Sequence, residues 1–187
     1  NPNVTTKSDS EIETIVSAAI NTHATDTIND FNSKLRLSKL SAAIDAADAS
    51  ILNSENTILL QKKFTPTLNA SGNHTLDFVN EIYREIPDSS SLFADGSAPV
   101  SSTTFVFAGL TGCSLRDNGE GKLQVVQQES SVLNIVSNDI GTVDYTNGMV
   151  TISKFLVSSF TGDAICVSIN PVSKTLKSNK NIILSYN

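Results

Sequence analysis

The chain has 187 residues and a mass of 19.9 kDa, with 39% apolar and 17% charged residues, enough for one domain of ordinary size or two small lobes that share a core. Its net charge of −6 and pI of about 4.8 argue against nucleic-acid binding, which needs a basic surface to displace counterions from phosphates. No run of about 18 apolar residues occurs, so we expect no membrane span. The polar start lacks the apolar stretch of a signal peptide, and we expect a fragment or a processed product.

The first predicted element is an amphipathic helix. Ser10 and Glu13 have the S-x-x-E spacing of a capping box, which satisfies backbone N–H groups at a helix start. Apolar residues then recur three and four positions apart from Ile12 onward, and the stripe continues roughly to Phe31. His23 lies on or near this face, and we interpret it as a packed structural histidine.

A second, shorter helix is predicted from the stripe of Leu37, Leu40, Ile44 and Ala47. Asp45 and Asp48 lie near its end, where negative charge opposes the helix dipole. We interpret these two acids as marking the exit into a turn rather than as a catalytic pair. Residues 1–48 are therefore assigned to a helical segment.

Residues 49–187 are predicted to form a β-rich domain of short strands and hairpins. Alternating or β-branched segments bounded by turn residues indicate strands at 57–64, 74–79, 103–107, 113–116, 122–126, 132–136, 142–145, 149–152, 164–169 and 181–184. Asn147-Gly148 is the strongest hairpin signal, because both positions of the favoured two-residue turn have positive φ. The loop at 86–102 is a candidate subdivision. The predicted fold class is α+β, with N-terminal helices followed by a mainly antiparallel β region.

The cysteines and histidines give little support for a metal site. Cys113 and Cys166 lie far apart, and with His23 and His74 they lack the paired spacing of a zinc site. We interpret the cysteines as buried free thiols, although a disulfide between them is also compatible with the sequence.

No motif for catalysis is present either. The chain lacks a phosphate-binding glycine loop and a nucleophile elbow. Residues 117–121 favour a plain hairpin over a calcium loop, and Asp139 and Asp144 are interpreted as solvated acids rather than a glycosidase pair. Three lysines near the end suggest a charged strand edge: Lys174, Lys177 and Lys180. We therefore predict no catalytic residue, no cofactor and no metal ligand, and leave interface residues unassigned.

Three segments resemble a known family. Residues 37–51 with 61–66 resemble an element in which a helix ends in Ile-Asp-x-x-Asp and leads into a strand with a basic-aromatic-x-Pro ending. Residues 138–152 resemble a Gly-Val-Asp-Tyr hairpin, and residues 169–184 resemble the C-terminal element of the same family. The three segments occur in the order found in one family and are similar to it. This family is the baseplate wedge protein of contractile-tailed, T-even-type bacteriophages, gene product six of the baseplate J-like group.

The resemblance implies a structural protein and not an enzyme. Members are several times longer, so the chain would be a C-terminal part. It would form a homodimer, bind other baseplate wedge proteins and help to build the ring around the tail hub, which rearranges on contraction. The implied location is the tail baseplate of the virion, assembled in the host bacterial cytoplasm. No nucleic acid, membrane span or small-molecule substrate is expected among its partners.

Two other function classes stay open from the sequence. The Ser, Thr and Asn content is about a third of the chain, which suits a carbohydrate- or receptor-binding module of a virion or cell surface. The absence of Trp argues against that class, because sugars usually stack on aromatic faces. A hydrolase with a catalytic triad assembled from distant residues is the other alternative.

Overall fold

A computed structural model describes residues 7–27, 36–52, 54, 58–84, 98–129, 132–173, 176 and 183–186. The chain divides into two compact units, one of residues 1–57, 173–177 and 186, and one of residues 58–172, 178–185 and 187. The division predicted after residue 48 and the subdivision at 86–102 remain predictions, and residues 85–97 lie outside the described part.

The first unit contains two described helices, α1 (Asp9–Thr27) and α2 (Leu37–Asp45). Ser8 caps α1, because its N–H donates to Glu11 Oε2 at 2.7 Å and its Oγ accepts from the Glu11 N–H at 3.4 Å. The predicted capping box at Ser10 and Glu13 is wrong by two residues, since the same S-x-x-E spacing occurs at Ser8 and the helix begins directly after it. The predicted continuation of the stripe to Phe31 lies outside the described residues.

The second unit is an antiparallel sheet. Its strands are β1 (Ile58–Phe64), β2 (Gly72–Asp77), β3 (Val100–Ser102), β4 (Phe105–Phe107), β5 (Leu110–Asp117), β6 (Lys122–Glu129), β7 (Val132–Asp144), β8 (Met149–Phe155), β9 (Val157–Phe160), β10 (Ile165–Ile169) and β11 (Ile183–Tyr186). Within the described residues the order is β11-β1-β10-β3-β5-β6-β7-β8-β2, and β4 pairs with β5 and β9.

The two ends of this sheet approach each other. The segment after β2 meets the segment after β10 through a bridge between Ile82 and Pro171. Tyr83 N–H donates to Asn170 O at 2.7 Å, and Val172 N–H donates to Glu81 O at 2.9 Å. Because β2 lies at one end of the strand order and β10 close to the other, these bonds nearly close the sheet into a barrel.

The core of this unit lies inside the nearly closed sheet. Phe155 of β8 is fully buried and contacts the rings of Phe64, Phe105 and Phe107, with centroid distances of 5.9, 5.1 and 6.2 Å. Other fully buried side chains come from several strands, among them Leu60, Leu115, Leu123, Ile152 and Ile165. The apolar side chains on the inner faces of the strands thus bury one another.

The predicted fold class, α+β, is wrong. The protein is mostly antiparallel β, and the structure describes eleven strands but only two helices. The sequence pattern showed both helices and many strands but not how the sheet curves. A sheet that nearly closes on itself covers its own core, so it needs no packed helical layer.

Hairpins and strand lengths differ in detail from the sequence prediction. The hairpin at Asn147-Gly148 is present, but its turn has four residues, 145–148, and only Gly148 of the two has positive φ. The strands predicted at 132–136 and 142–145 are one continuous strand, β7. Register shifts opposite Val125 on β6 let the long strand stay paired across an irregularity. Strands β3 and β9 were not predicted, and β3 lies at the end of the segment 86–102 that was predicted to be a loop.

Candidate interaction surface

The two cysteines are both free thiols in the structure. Cys113 lies on β5 and is buried, and its Sγ donates to Leu110 O at 3.4 Å. Burial raises the pKa of this thiol above its ordinary value. Cys166 lies on β10 and is half-buried. The disulfide that the sequence left open is therefore not formed.

His74 packs in an apolar environment on β2. Its ring centroid lies 4.6 Å from that of Phe64, and its Nε2 is buried without a hydrogen-bond partner. Burial lowers the pKa of His74 below the ordinary value of 6.5. His23 lies on α1 in the other unit. Among the described residues, no group of three or more His, Cys, Asp or Glu side chains could hold a metal ion.

The environment of His74 predicts a loss of stability in mild acid. As the pH falls below 6.5, the unfolded chain takes up a proton at His74 before the folded chain does, so the free energy of unfolding decreases. His74→Leu should reduce the difference in stability between about pH 7.5 and 5.5, measured by urea denaturation. His23→Gln is the matched control. An unchanged pH dependence in His74→Leu would contradict the prediction.

The loop at 117–121 is organised by a buried carboxylate. Asp117 is 0% exposed; its Oδ1 accepts from Val100 N–H at 3.0 Å, and its Oδ2 accepts from Gly119 N–H at 3.1 Å and the Tyr145 hydroxyl at 2.8 Å. The Tyr145 hydroxyl in turn accepts from Gly121 N–H at 3.3 Å. Burial, with the nearby Asp117 carboxylate, raises the pKa of Tyr145. These bonds lock the β5–β6 hairpin to the β7–β8 turn.

A cleft of about 520 Å³ lies beside this network, between the segment at 81–84 and the β7–β8 turn. Arg84 crosses it: its Nε donates to Gly119 O at 3.0 Å, and its guanidinium carbon lies 5.6 Å from the centre of the Tyr145 ring. The acidic residues Glu81, Glu120 and Asp144 also line the cleft. The arginine thus holds the same two loops together that Asp117 and Tyr145 connect.

The acids that the sequence singled out are engaged in separate contacts. Asp139 accepts from Lys122 Nζ at 2.8 Å. Asp144 accepts from Asn147 Nδ2 at 2.7 Å and from Asn147 N–H at 3.0 Å, which lowers the pKa of its carboxyl group. The structure therefore gives each acid its own local partner. That both are merely solvated surface acids remains a prediction.

The Ile-Asp-x-x-Asp element ends α2 and forms the turn after it. Asp48 Oδ1 accepts from the Ser50 N–H at 2.9 Å and from the Ser50 hydroxyl at 2.8 Å, and its other oxygen pairs with Lys7 Nζ. The Lys7 contact, with the Ser50 bonds, lowers the pKa of Asp48. Ile44 is the buried residue of α2. Lys174, Lys177 and Lys180 lie outside the described residues.

The first half of β7 carries exposed apolar side chains that sequence reasoning missed. Val132 is 61% exposed, Leu133 40% and Ile135 53%. This half pairs with β6, whereas β8 pairs only with residues 141–144. The sequence divided the strand in two and assigned no interface. The signal that could have revealed this surface is the lack of charged residues from 132 to 138.

Comparison with known proteins relates the first third of the chain to one family. Residues 1–63, a third of the chain, match the family model described as baseplate structural protein gp6, C-terminal domain III. The match includes residues 37–51 of the predicted resemblance and also α1, for which the sequence offered no motif. Curated proteins give no match. No described helix is long and apolar enough to cross a membrane. The match of residues 1–63 supports a gp6-like baseplate wedge protein, C-terminal part, with a structural role in the phage tail baseplate.

Proposed function

We propose that this chain associates with a second copy of itself and with other baseplate wedge proteins to help form the ring around the tail hub. It acts as a scaffold, without catalysis, cofactor or small-molecule substrate, and is assembled in the host bacterial cytoplasm. The observation that carries the proposal is the match of residues 1–63 to a domain of a baseplate structural protein. A subunit of such an assembly must present surfaces to its neighbours.

Two features of the chain support a role in protein association. Helix α1 has an apolar face, yet none of its 19 residues is buried, so that face is only partly covered within the chain. The exposed apolar half of β7 is a second such surface. The net charge of −6 supports the proposal that nucleic acid is not a partner.

Co-expression tests the assembly directly. The chain, carrying an affinity tag, is produced together with the other wedge proteins of its phage, and the purified complex is sized by light scattering. We expect a stoichiometric complex that contains this chain at least twice. A chain that purifies alone under these conditions would contradict the proposal. Labelling of one serine by a fluorophosphonate probe would contradict the non-catalytic part.

A further inference from the structure

The outer half of β7 has one unpaired edge. Strand β7 spans Val132–Asp144 and pairs with β6 from residue 132 to residue 142, but β8 covers only residues 141–144 of its other edge. Among the described residues, no strand pairs with that edge from 132 to 140. The side chains of residues 132–135, which alternate between the two faces of the β6–β7 hairpin, are all exposed. This segment therefore presents free backbone N–H and C=O groups together with apolar side chains.

This part of the sheet lacks a third strand on either side. The pairing of β5 with β6 begins at Cys113 and Gln127, so from Gln128 onward the β6–β7 hairpin is two strands wide in the described residues. A two-stranded ribbon is only marginally stable in water. An added strand would satisfy the edge hydrogen-bonding groups and cover Val132 and Ile135.

The distribution of charged residues indicates which molecule supplies the added strand. Natural edge strands usually carry charges or proline, which discourage pairing, but residues 132–138 contain neither. Two copies of a chain with net charge −6 repel one another in general, and this neutral edge is a place where they can approach. In antiparallel self-pairing the two Asp139 residues lie at opposite ends of the paired segment. Each also has its own cation, Lys122, at 2.8 Å.

We propose that the edge of residues 132–139 pairs antiparallel with the same edge of a second copy, so that the two sheets become continuous across a two-fold axis. Such pairing is self-complementary, because the two-fold axis places Ile135 of each copy opposite Val136 of the other at the centre of the paired segment. The inference rests on the proposed self-association and identifies the surface that performs it.

The test uses the whole chain and one charge substitution. Light scattering after size exclusion, over a range of concentrations, should give a dimer of twice 19.9 kDa. Ile135→Lys should weaken the dimer about tenfold or more, since lysine on an edge strand opposes pairing and the apolar contact of Ile135 with Val136 of the second copy is lost. Leu68→Lys is the matched control, because Leu68 is 46% exposed and lies in a turn. Circular dichroism checks that both variants are folded.

Amide hydrogen exchange locates the interface. We expect slower exchange for residues 132–139 in the dimer than in the diluted monomer. A strict monomer would overturn both the self-association and this inference. A dimer that Ile135→Lys leaves intact, with protection elsewhere, would overturn only the assignment to β7. Protection of the edge solely in the presence of other wedge proteins would overturn the second copy as its occupant.

Discussion

Asp117→Ala is expected to lower the free energy of unfolding by about 4 kcal/mol. The carboxylate is fully buried and accepts three hydrogen bonds, from Val100, Gly119 and Tyr145. Alanine leaves these donors without an acceptor in a site from which water is largely excluded. The loss exceeds that of an ordinary hydrogen bond, because an unsatisfied buried donor loses its full solvation. Urea denaturation of both proteins at neutral pH measures the difference.

Tyr145→Phe is the graded comparison for this prediction. It removes one of the three donors and leaves the carboxylate in place, so a loss of about 1–2 kcal/mol is expected. The double variant should be less destabilised than the sum of the two single variants, because both act on one network. Equal, small effects of the two single substitutions would show that the hairpin does not depend on the Asp117 carboxylate.

Gly148→Ala is expected to cost about 3 kcal/mol of stability. Gly148 has a φ of 69°, and a Cβ at this position would lie 2.1 Å from Asn80 O. The backbone there has little freedom to move, since Phe78 N–H donates to Gly148 O at 2.8 Å and Phe78 is fully buried. Thermal or urea denaturation of the variant tests the prediction.

Gly109→Ala separates the clash from the backbone strain. Gly109 has a φ of 81°, but nothing lies within 4 Å of a Cβ built there. We therefore expect Gly109→Ala to lower the free energy of unfolding by about 1 kcal/mol, the cost of the left-handed backbone conformation alone. If the two variants lose the same stability, the close approach of the β7–β8 turn to residues 78–80 does not restrict position 148.

Local features of the protein could be predicted well. Amphipathic periodicity identified both helices, and turn residues identified the hairpins at 117–121 and 145–148, because these signals depend on neighbours in the chain. The family resemblance was confirmed through residues 37–51, whose helix end and turn are also local. The predicted capping box at Ser10 was displaced by only two residues, because the same S-x-x-E spacing also begins at Ser8.

Features that depend on residues distant in sequence could not be predicted in this way. Asp117 appeared as part of an acidic loop, and nothing in its neighbourhood identified Tyr145 and Val100 as partners of its carboxylate. The orphaned Nε2 of His74 depends on packing against Phe64 from another strand. Likewise, the free edge of β7 is defined by where β8 stops.

The sequence by itself therefore determined the helices, most strands, the turns and the acidic character of the chain, since these depend on periodicity and composition. Tertiary structure alone decided that the strands form one nearly closed sheet rather than an α+β arrangement. The physical reason is that curvature and strand order arise from pairing and burial between distant segments, whose free energy no local pattern records.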